Sequence, residues 1–463
     1  MENLESLLRR SKSVTDLLYN QKTGQNVFPG VAPEYTNWRD EQRAWHESCV
    51  LFNQSYHMAD LLVEGPDALK LISDLAPNSF KSFTVGNAKQ FAPCNYDGYI
   101  IGDVVLFCVG ENKFDLVGRA PALNWVRFHA EMGSYNVRLE LDERTAARKD
   151  PSRRRSYRFQ VQGPNAMKAM EKAIGGPVPN VKFFNMARMK IAGKELWALR
   201  HGMAGQPGFE LFGPWDEGEV VRQALIEAGK NFGMRLVGGR TYSSNTLESG
   251  WIPSPLPAVY SGEKLKAYRE WLSIDSYEAK ATLGGSFYSD RIEDYYLSPW
   301  DMGYGSFVKF EHNYIGREAL QKMADKQHRK KVTLAFNNDD VKFVLGSMFQ
   351  TENRCKYIEF PSSVYAMHPY DKVLFGGKMA GLSTWVGYSS NAGKMLSLGI
   401  LDAEYSTPGT EVTVVWGEPN GGSAKLSVEP HVQTEIRAIV SPVPYSVVAR
   451  ESYAEVSWRR QAS

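Results

Sequence analysis

At 463 residues the chain is too long for one compact core, so two or three domains are expected. Hydrophobic residues make up 43% and charged residues 23%, ordinary for a soluble globular protein. Lys and Arg number 54 against 52 Asp and Glu, and the resulting net charge of +2 gives no polyelectrolyte signal, so no nucleic acid partner is expected.

The opening stretch, MENLESLLRRSKSVTDLL, has acidic residues early and no apolar core followed by small residues, so it does not read as a signal peptide. No run approaches the roughly 18 apolar residues of a membrane span. Cys49, Cys94, Cys108 and Cys355 include no C-x-x-C pair. They are expected to be reduced core thiols of a cytoplasmic protein. No His, Cys or carboxylate cluster has ligand spacing, so no metal is expected.

Residues 1–45 read as helical, then as a loop around NVFPGVAPEYTNW. From about 50 to 145, the strands HMADLLVEG, VVLFCVG and KFDLVG alternate with helical runs such as PALNWVRFHAEMG. The segment RTAARKDPSRRRSYR carries six arginines but no Gly-rich loop, and is expected to be a solvated connector. The pattern then restarts. FQVQGPNAMKAMEKAIG echoes LLVEGPDALKLISDLA as strand, Gly-Pro turn and amphipathic helix, which suggests two similar α+β halves. Residues 262–330 read as helical and loop-rich. Beyond 331, VTLAFN, KVLFGG, KMLSLGILD and TEVTVVWG read as an all-β barrel or sandwich.

NYDGYIIGDVVLF, HGMAGQPGFELFGP and NYIGREAL stand, in order, where the folate-binding aminomethyltransferase family has three motifs. The QGPNA turn and GYSSNAGKMLSLGIL also fit, so the chain resembles that family, which includes the glycine-cleavage T-protein, over nearly its whole length. The resemblance implies an α+β fold in a three-domain ring, with two similar α+β halves, a C-terminal β-barrel and tetrahydrofolate in a central hole. The expected division is 1–150 for the first α+β domain with segments of the N-terminus packed on it, 151–330 for the second with a helical connection, and 331–463 for the barrel.

The chain departs from the T-protein pattern. Gly102 and Asp103 replace two adjacent acids, and Gly202-Met203-Ala204-Gly205-Gln206 replaces Gly-Tyr-Thr-Gly-Glu. Tyr242 stands for an arginine ahead of TLESG, and Gly118-Arg119 for an asparagine-alanine pair. With His57, these changes resemble the tetrahydrofolate-dependent aromatic O-demethylases. The implied reaction moves the methyl group of a methoxybenzoate to tetrahydrofolate, with syringate favoured over vanillate or 3-O-methylgallate. The products would be 5-methyltetrahydrofolate and a phenol, in lignin-derived aromatic catabolism. The alternatives are a glycine-cleavage-type aminomethyltransferase and a non-catalytic folate-binding protein. No lipoylated carrier and no membrane partner are expected.

Taken by themselves, His57 reads as a satisfied histidine at a strand end, Tyr242 as a packing tyrosine and Arg119 as a surface guanidinium. Asp103 and Glu210 read as turn or strand-edge acids, and Trp251 as a core tryptophan. The resemblance implies other roles. His57 and Tyr242 would act on the ether oxygen, His57 being able to hold a proton near neutral pH. Arg119 would grip a benzoate carboxylate, Asp103 and Glu210 would accept from pterin N–H groups, and Trp251 would wall the pocket by stacking. Phe28 would leave room for a second methoxy group beside the ring. Gln162 reads as a turn residue of the QGP motif.

Overall fold

The computed structural model describes residues 2–24, 28–147, 153–253 and 255–451. Two α+β halves and a barrel make up the molecule. The strands of the halves are β1 (Cys49–Asn53), β2 (Ala59–Glu64), β3 (Ala88–Phe91), β4 (Val104–Gly110), β5 (Lys113–Gly118), β6 (Arg138–Asp142), β7 (Ser156–Gln162), β8 (Met186–Ile191), β9 (Lys194–Arg200), β10 (Gly208–Pro214) and β11 (Met234–Val237). They form two sheets, ordered β3-β4-β5-β2-β6 and β8-β9-β10-β7-β1-β11.

The sequence echo is a structural one. Glu64-Gly65-Pro66-Asp67 closes β2 as Gln162-Gly163-Pro164-Asn165 closes β7, with each position matched 98 residues on. Gly65 and Gly163 take φ of +142° and +125°. A Cβ on either would lie 2.4 Å from Asn136 O or 2.6 Å from Ser48 O. Only glycine tolerates that turn. Asp67 and Asn165 then open the helices Ala68–Leu75 and Ala166–Ile174 with matching backbone, φ −97° in both. Ala68, Leu71, Ile72 and Leu75 form one buried stripe against the first sheet.

β1 corrects the division at 150. It precedes β2 in the chain but lies in the second sheet, between β7 and β11. Its first four residues, Cys-Val-Leu-Phe, are all buried, a run that suits a central strand and not an edge. The C-terminal strands close into a barrel in the order Lys330–Phe336, Lys394–Leu401, Lys378–Ser389, Asp371–Phe375, Glu411–Trp416, Thr434–Ser441. Barrel, not sandwich, is therefore the architecture. All four cysteines are buried and free. No helix among the described residues is long and apolar enough to cross a membrane.

Candidate active site

His57 sits in the turn between β1 and β2, and the arginine-rich segment holds that turn. Arg154 donates to Ser55 O (2.8 Å) and Met58 O (2.9 Å). Ser55 Oγ accepts the Arg158 N–H at 2.9 Å, and Gln54 N–H donates to Arg158 O at 2.9 Å. The solvated-connector expectation fails here, because Arg154 and Arg158 are buried and paired to carboxylates. Residues 148–152 of that segment lie outside the described residues.

Tyr242 ends the short helix Gly239–Tyr242. The buried Glu41 fixes that helix, accepting Gly238 N–H at 2.9 Å and the Thr241 hydroxyl. Its other oxygen accepts Tyr35 and Thr36 N–H at 2.7 and 3.1 Å, which ties in the loop that carries Phe28. The three rings converge. Centroids lie 4.7 Å apart for His57 and Tyr242, 4.9 Å for Phe28 and His57, and 4.7 Å for Phe28 and Tyr242.

Burial, reinforced by the positive Arg119, Arg154 and Arg144, pushes the His57 pKa down to about 3. The imidazole is therefore neutral at neutral pH, although a histidine is able to hold a proton there. Burial raises the Tyr242 phenol, against the pull of a hydrogen bond from Gln54, so the hydroxyl keeps its proton. Gln54 Nε2 lies 3.2 Å from that hydroxyl, while Gln54 Oε1 has no partner among the described residues. Turning the amide over would let Oε1 accept from Tyr242. Gln54 was legible only as a polar neighbour of His57, three positions ahead of it.

The acids differ in their support. Asp103 Oδ2 accepts from Gln90 Nε2 (2.8 Å), Trp251 Nε1 (3.0 Å) and the Tyr304 hydroxyl (2.7 Å). Burial raises its carboxyl, and the bonds from Tyr304 and Trp251 oppose the rise. Trp251 is 37% exposed, not a core residue, and its indole N–H braces an acid. Gly102 leaves room for the helix that follows Arg119: a Cβ there would meet Ala122 N at 3.1 Å. Glu210 Oε1 accepts from Arg158 Nη1 at 2.9 Å, and burial raises this carboxyl against the pull of Arg158. No protein hydrogen bond reaches Asp103 Oδ1 or Glu210 Oε2 among the described residues.

Arg119 stands just ahead of the helix Ala120–Met132, and its Nη1 donates to the Tyr277 hydroxyl at 3.2 Å. Gln162, the last residue of β7 ahead of the Gly163 turn, is buried and does not line the cavity; its Oε1 accepts the N–H groups of Met203 and Ala204, which anchors the loop bearing Met203. The structure brings all seven candidates, Phe28, His57, Asp103, Arg119, Glu210, Tyr242 and Trp251, to the wall of one cavity of about 310 Å³. Arg144 and Tyr277 line it too, although sequence reasoning gave neither a role. No group of three or more potential ligand side chains could hold a metal ion among the described residues.

A model of the GCVT N-terminal domain matches residues 22–254. The chain is 58% identical over 458 residues to a syringate O-demethylase of a Sphingobium species, covering 99% of each. It is 30% identical to the sesamin methylene transferase of a Sinomonas species, covering 85% of each. An aminomethyltransferase of Halothermothrix orenii is 28% identical over 65% of this chain and 71% of that one. The crystal structure of the glycine cleavage aminomethyltransferase T of Bartonella henselae superposes with a TM-score of 0.58 at 16% identity, over 88% of this chain and 89% of that one. That likeness speaks for the fold alone. With the matched domain spanning half the chain and a near full-length relative at 58% identity, the protein belongs to the GCVT aminomethyltransferase family.

Proposed function

We propose that the protein is a tetrahydrofolate-dependent aromatic O-demethylase of the cytoplasm, acting on a methoxybenzoate with syringate favoured. The observation that carries this reading is the cavity itself. It presents a protonated phenol beside a neutral imidazole, with Arg119 on the same cavity, together with two carboxylates that each keep an oxygen free of protein bonds among the described residues. The 58% identity to a syringate O-demethylase supports it. So does Tyr242, which stands where the T-protein pattern has an arginine.

The residues fit the absent cosubstrate. Asp103 Oδ1 and Glu210 Oε2 are acceptor-only groups at the cavity, suited to the paired N–H donors of a pterin. Tetrahydrofolate, when bound, supplies the ring amine that accepts the methyl group. The chain's own work is at the other end. Arg119 offers a planar fork to the benzoate carboxylate. Tyr242 donates its proton to the ether oxygen as the methyl C–O bond breaks, so that the oxygen stays on the ring and leaves as a phenol. Neutral His57 orients that phenol or bonds the same oxygen. Holding both substrates in one cavity supplies much of the acceleration.

The test is turnover. Purified protein, tetrahydrofolate and syringate, vanillate or 3-O-methylgallate should yield the demethylated phenol and 5-methyltetrahydrofolate by chromatography. Arg119→Lys should raise KM for the acids, since an ammonium lacks the fork. Aldehyde or alcohol analogues turned over as well as the acids would exclude Arg119 from carboxylate recognition. Absence of product with all three acids would overturn the reading.

A further inference from the structure

Arg158 lies buried between the two sheets, its guanidinium 5.0 Å from the Phe107 ring and 4.5 Å from the Phe212 ring. Nη1 holds Glu210 at 2.9 Å, and Nη2 holds Asp115 at 3.0 Å and lies 3.5 Å from Asp60. The network continues through Arg155 to Asp115 (2.5 Å) and Arg154 to Asp142 (2.9 Å). Three guanidinia, Arg154, Arg155 and Arg158, thus face four carboxylates, Asp60, Asp115, Asp142 and Glu210. Of these four acids only Glu210 lines the cavity.

We propose that Arg158 is a positioning residue of the cofactor site: it keeps Glu210 ionised and turns Oε2 to the N–H donors of a flat heterocycle. This rests on the reading of Glu210 as a pterin contact. A carboxylate placed in such an apolar shell takes up a proton unless a cation stands beside it. Arg158 from β7 is that cation. Asp60 from β2 and Asp115 from β5 oppose ionisation, and Tyr242 faces Glu210 from the helix 239–242. Arg158 does not reach the ligand wall itself, so its effect on binding must pass through Glu210.

Tetrahydrofolate affinity measured by calorimetry for Glu210→Gln, Arg158→Met, Arg158→Lys and the double variant Glu210→Gln/Arg158→Met tests this, with thermal unfolding and syringate binding as controls of the fold. Glu210→Gln should weaken tetrahydrofolate binding about 5- to 150-fold. Arg158→Met should weaken it comparably, and the double variant should be no weaker than either single one. In Arg158→Met, which removes the charge, the loss of binding toward acid pH should set in about one to three pH units higher than in the wild type, and in Arg158→Lys, which keeps the charge but not the fork, by less. Additive losses in the double variant would make Arg158 merely structural and overturn the proposal. Where Arg158→Met does not fold, an Arg158→Lys protein with wild-type affinity and an unshifted acid limb overturns it equally. A Glu210→Gln protein with unchanged affinity would overturn the reading of Glu210 as a cofactor contact, and the proposal with it.

Discussion

The two α+β halves repeat one frame and differ in what they point at each other. Position by position, Asp60 on β2 corresponds to Arg158 on β7, and Leu62 to Gln160. Across the ladders, Leu62 pairs with Asp115 and Gln160 pairs with Glu210, so Asp115 and Glu210 are counterparts as well. All four meet between the sheets. Had both halves kept an acid at the first position, four carboxylates would be buried together. One guanidinium in place of an acid turns that repulsion into a bridge. Asp115 has both oxygens taken, by Arg155 and Arg158, whereas its counterpart Glu210 has one taken and one left for the cavity. The same backbone address is a sealed structural joint in one half and an open acceptor in the other. Repetition supplies the frame, and chemistry appears where the repeat is broken.

The largest effects should come from side chains with no counterpart at all. Tyr242 follows β11, a strand the first sheet lacks. Tyr242→Phe keeps the ring and deletes the hydroxyl, and single-turnover methyl transfer should fall about 10²–10⁴-fold. Substrate affinity should change little, because the bond strengthens as negative charge develops. A rate within a few-fold of wild type would remove Tyr242 from the proton transfer.

The counterpart acids should separate next. Asp115→Asn strips one partner from the buried Arg158 and the half-buried Arg155 and should cost about 3–5 kcal/mol of stability in denaturant unfolding. The folded fraction should still bind tetrahydrofolate. Glu210→Gln should show the reverse, a loss of tetrahydrofolate affinity with a smaller loss of stability. If both variants lose stability and affinity alike, the distinction between sealed and open acid is wrong. The shared frame predicts equality instead. Gly65→Ala and Gly163→Ala force a side chain into a positive φ and onto backbone oxygen, so each should cost on the order of 1–3 kcal/mol. A large cost at one and none at the other would mean the turns are not equivalent.

Much of this was legible in the sequence, and the rest was hidden for physical reasons. The repeat announced itself because Gly-Pro turns and helix starts are local devices. Four of the six barrel strands were readable as apolar runs. Lys378–Ser389 was not, because Gly381 at φ +149° and Trp385 at φ +49° interrupt its alternation. Thr434–Ser441 does alternate, with Ile436, Ala438 and Val440 inward, but follows a long polar stretch. The arginine-rich segment misled because a charge run usually marks a solvated face. Its burial depends on acids more than 90 residues away in one direction, such as Asp60, and more than 50 in the other, such as Glu210. Gln90 and Tyr277 on the cavity wall, and Tyr304, which reaches Asp103, were invisible for the same reason: each meets its partner through tertiary contact alone.

The smallest predicted effect concerns the proton that His57 does not carry. The folded-state pKa is about 3, depressed by burial and three arginines, against about 6.5 for an exposed imidazole. Below pH 6.5 the unfolded chain therefore binds a proton at this residue and the folded chain does not. Stability contributed by a neutral His57 is present above pH 6.5 and is lost as pH falls toward 3. His129 and His201, also lowered to about 4, bend the wild-type curve in the same sense. The difference between wild type and His57→Gln isolates this one residue. Going from pH 6.5 to 5.5, the stability gap between the two proteins should shift in favour of the variant by about 1 kcal/mol. Urea unfolding at the two pH values reads that difference. Parallel curves would mean that the folded protein protonates His57 as readily as the unfolded chain does, and the imidazole would then enter the reaction charged, as an acid in its own right.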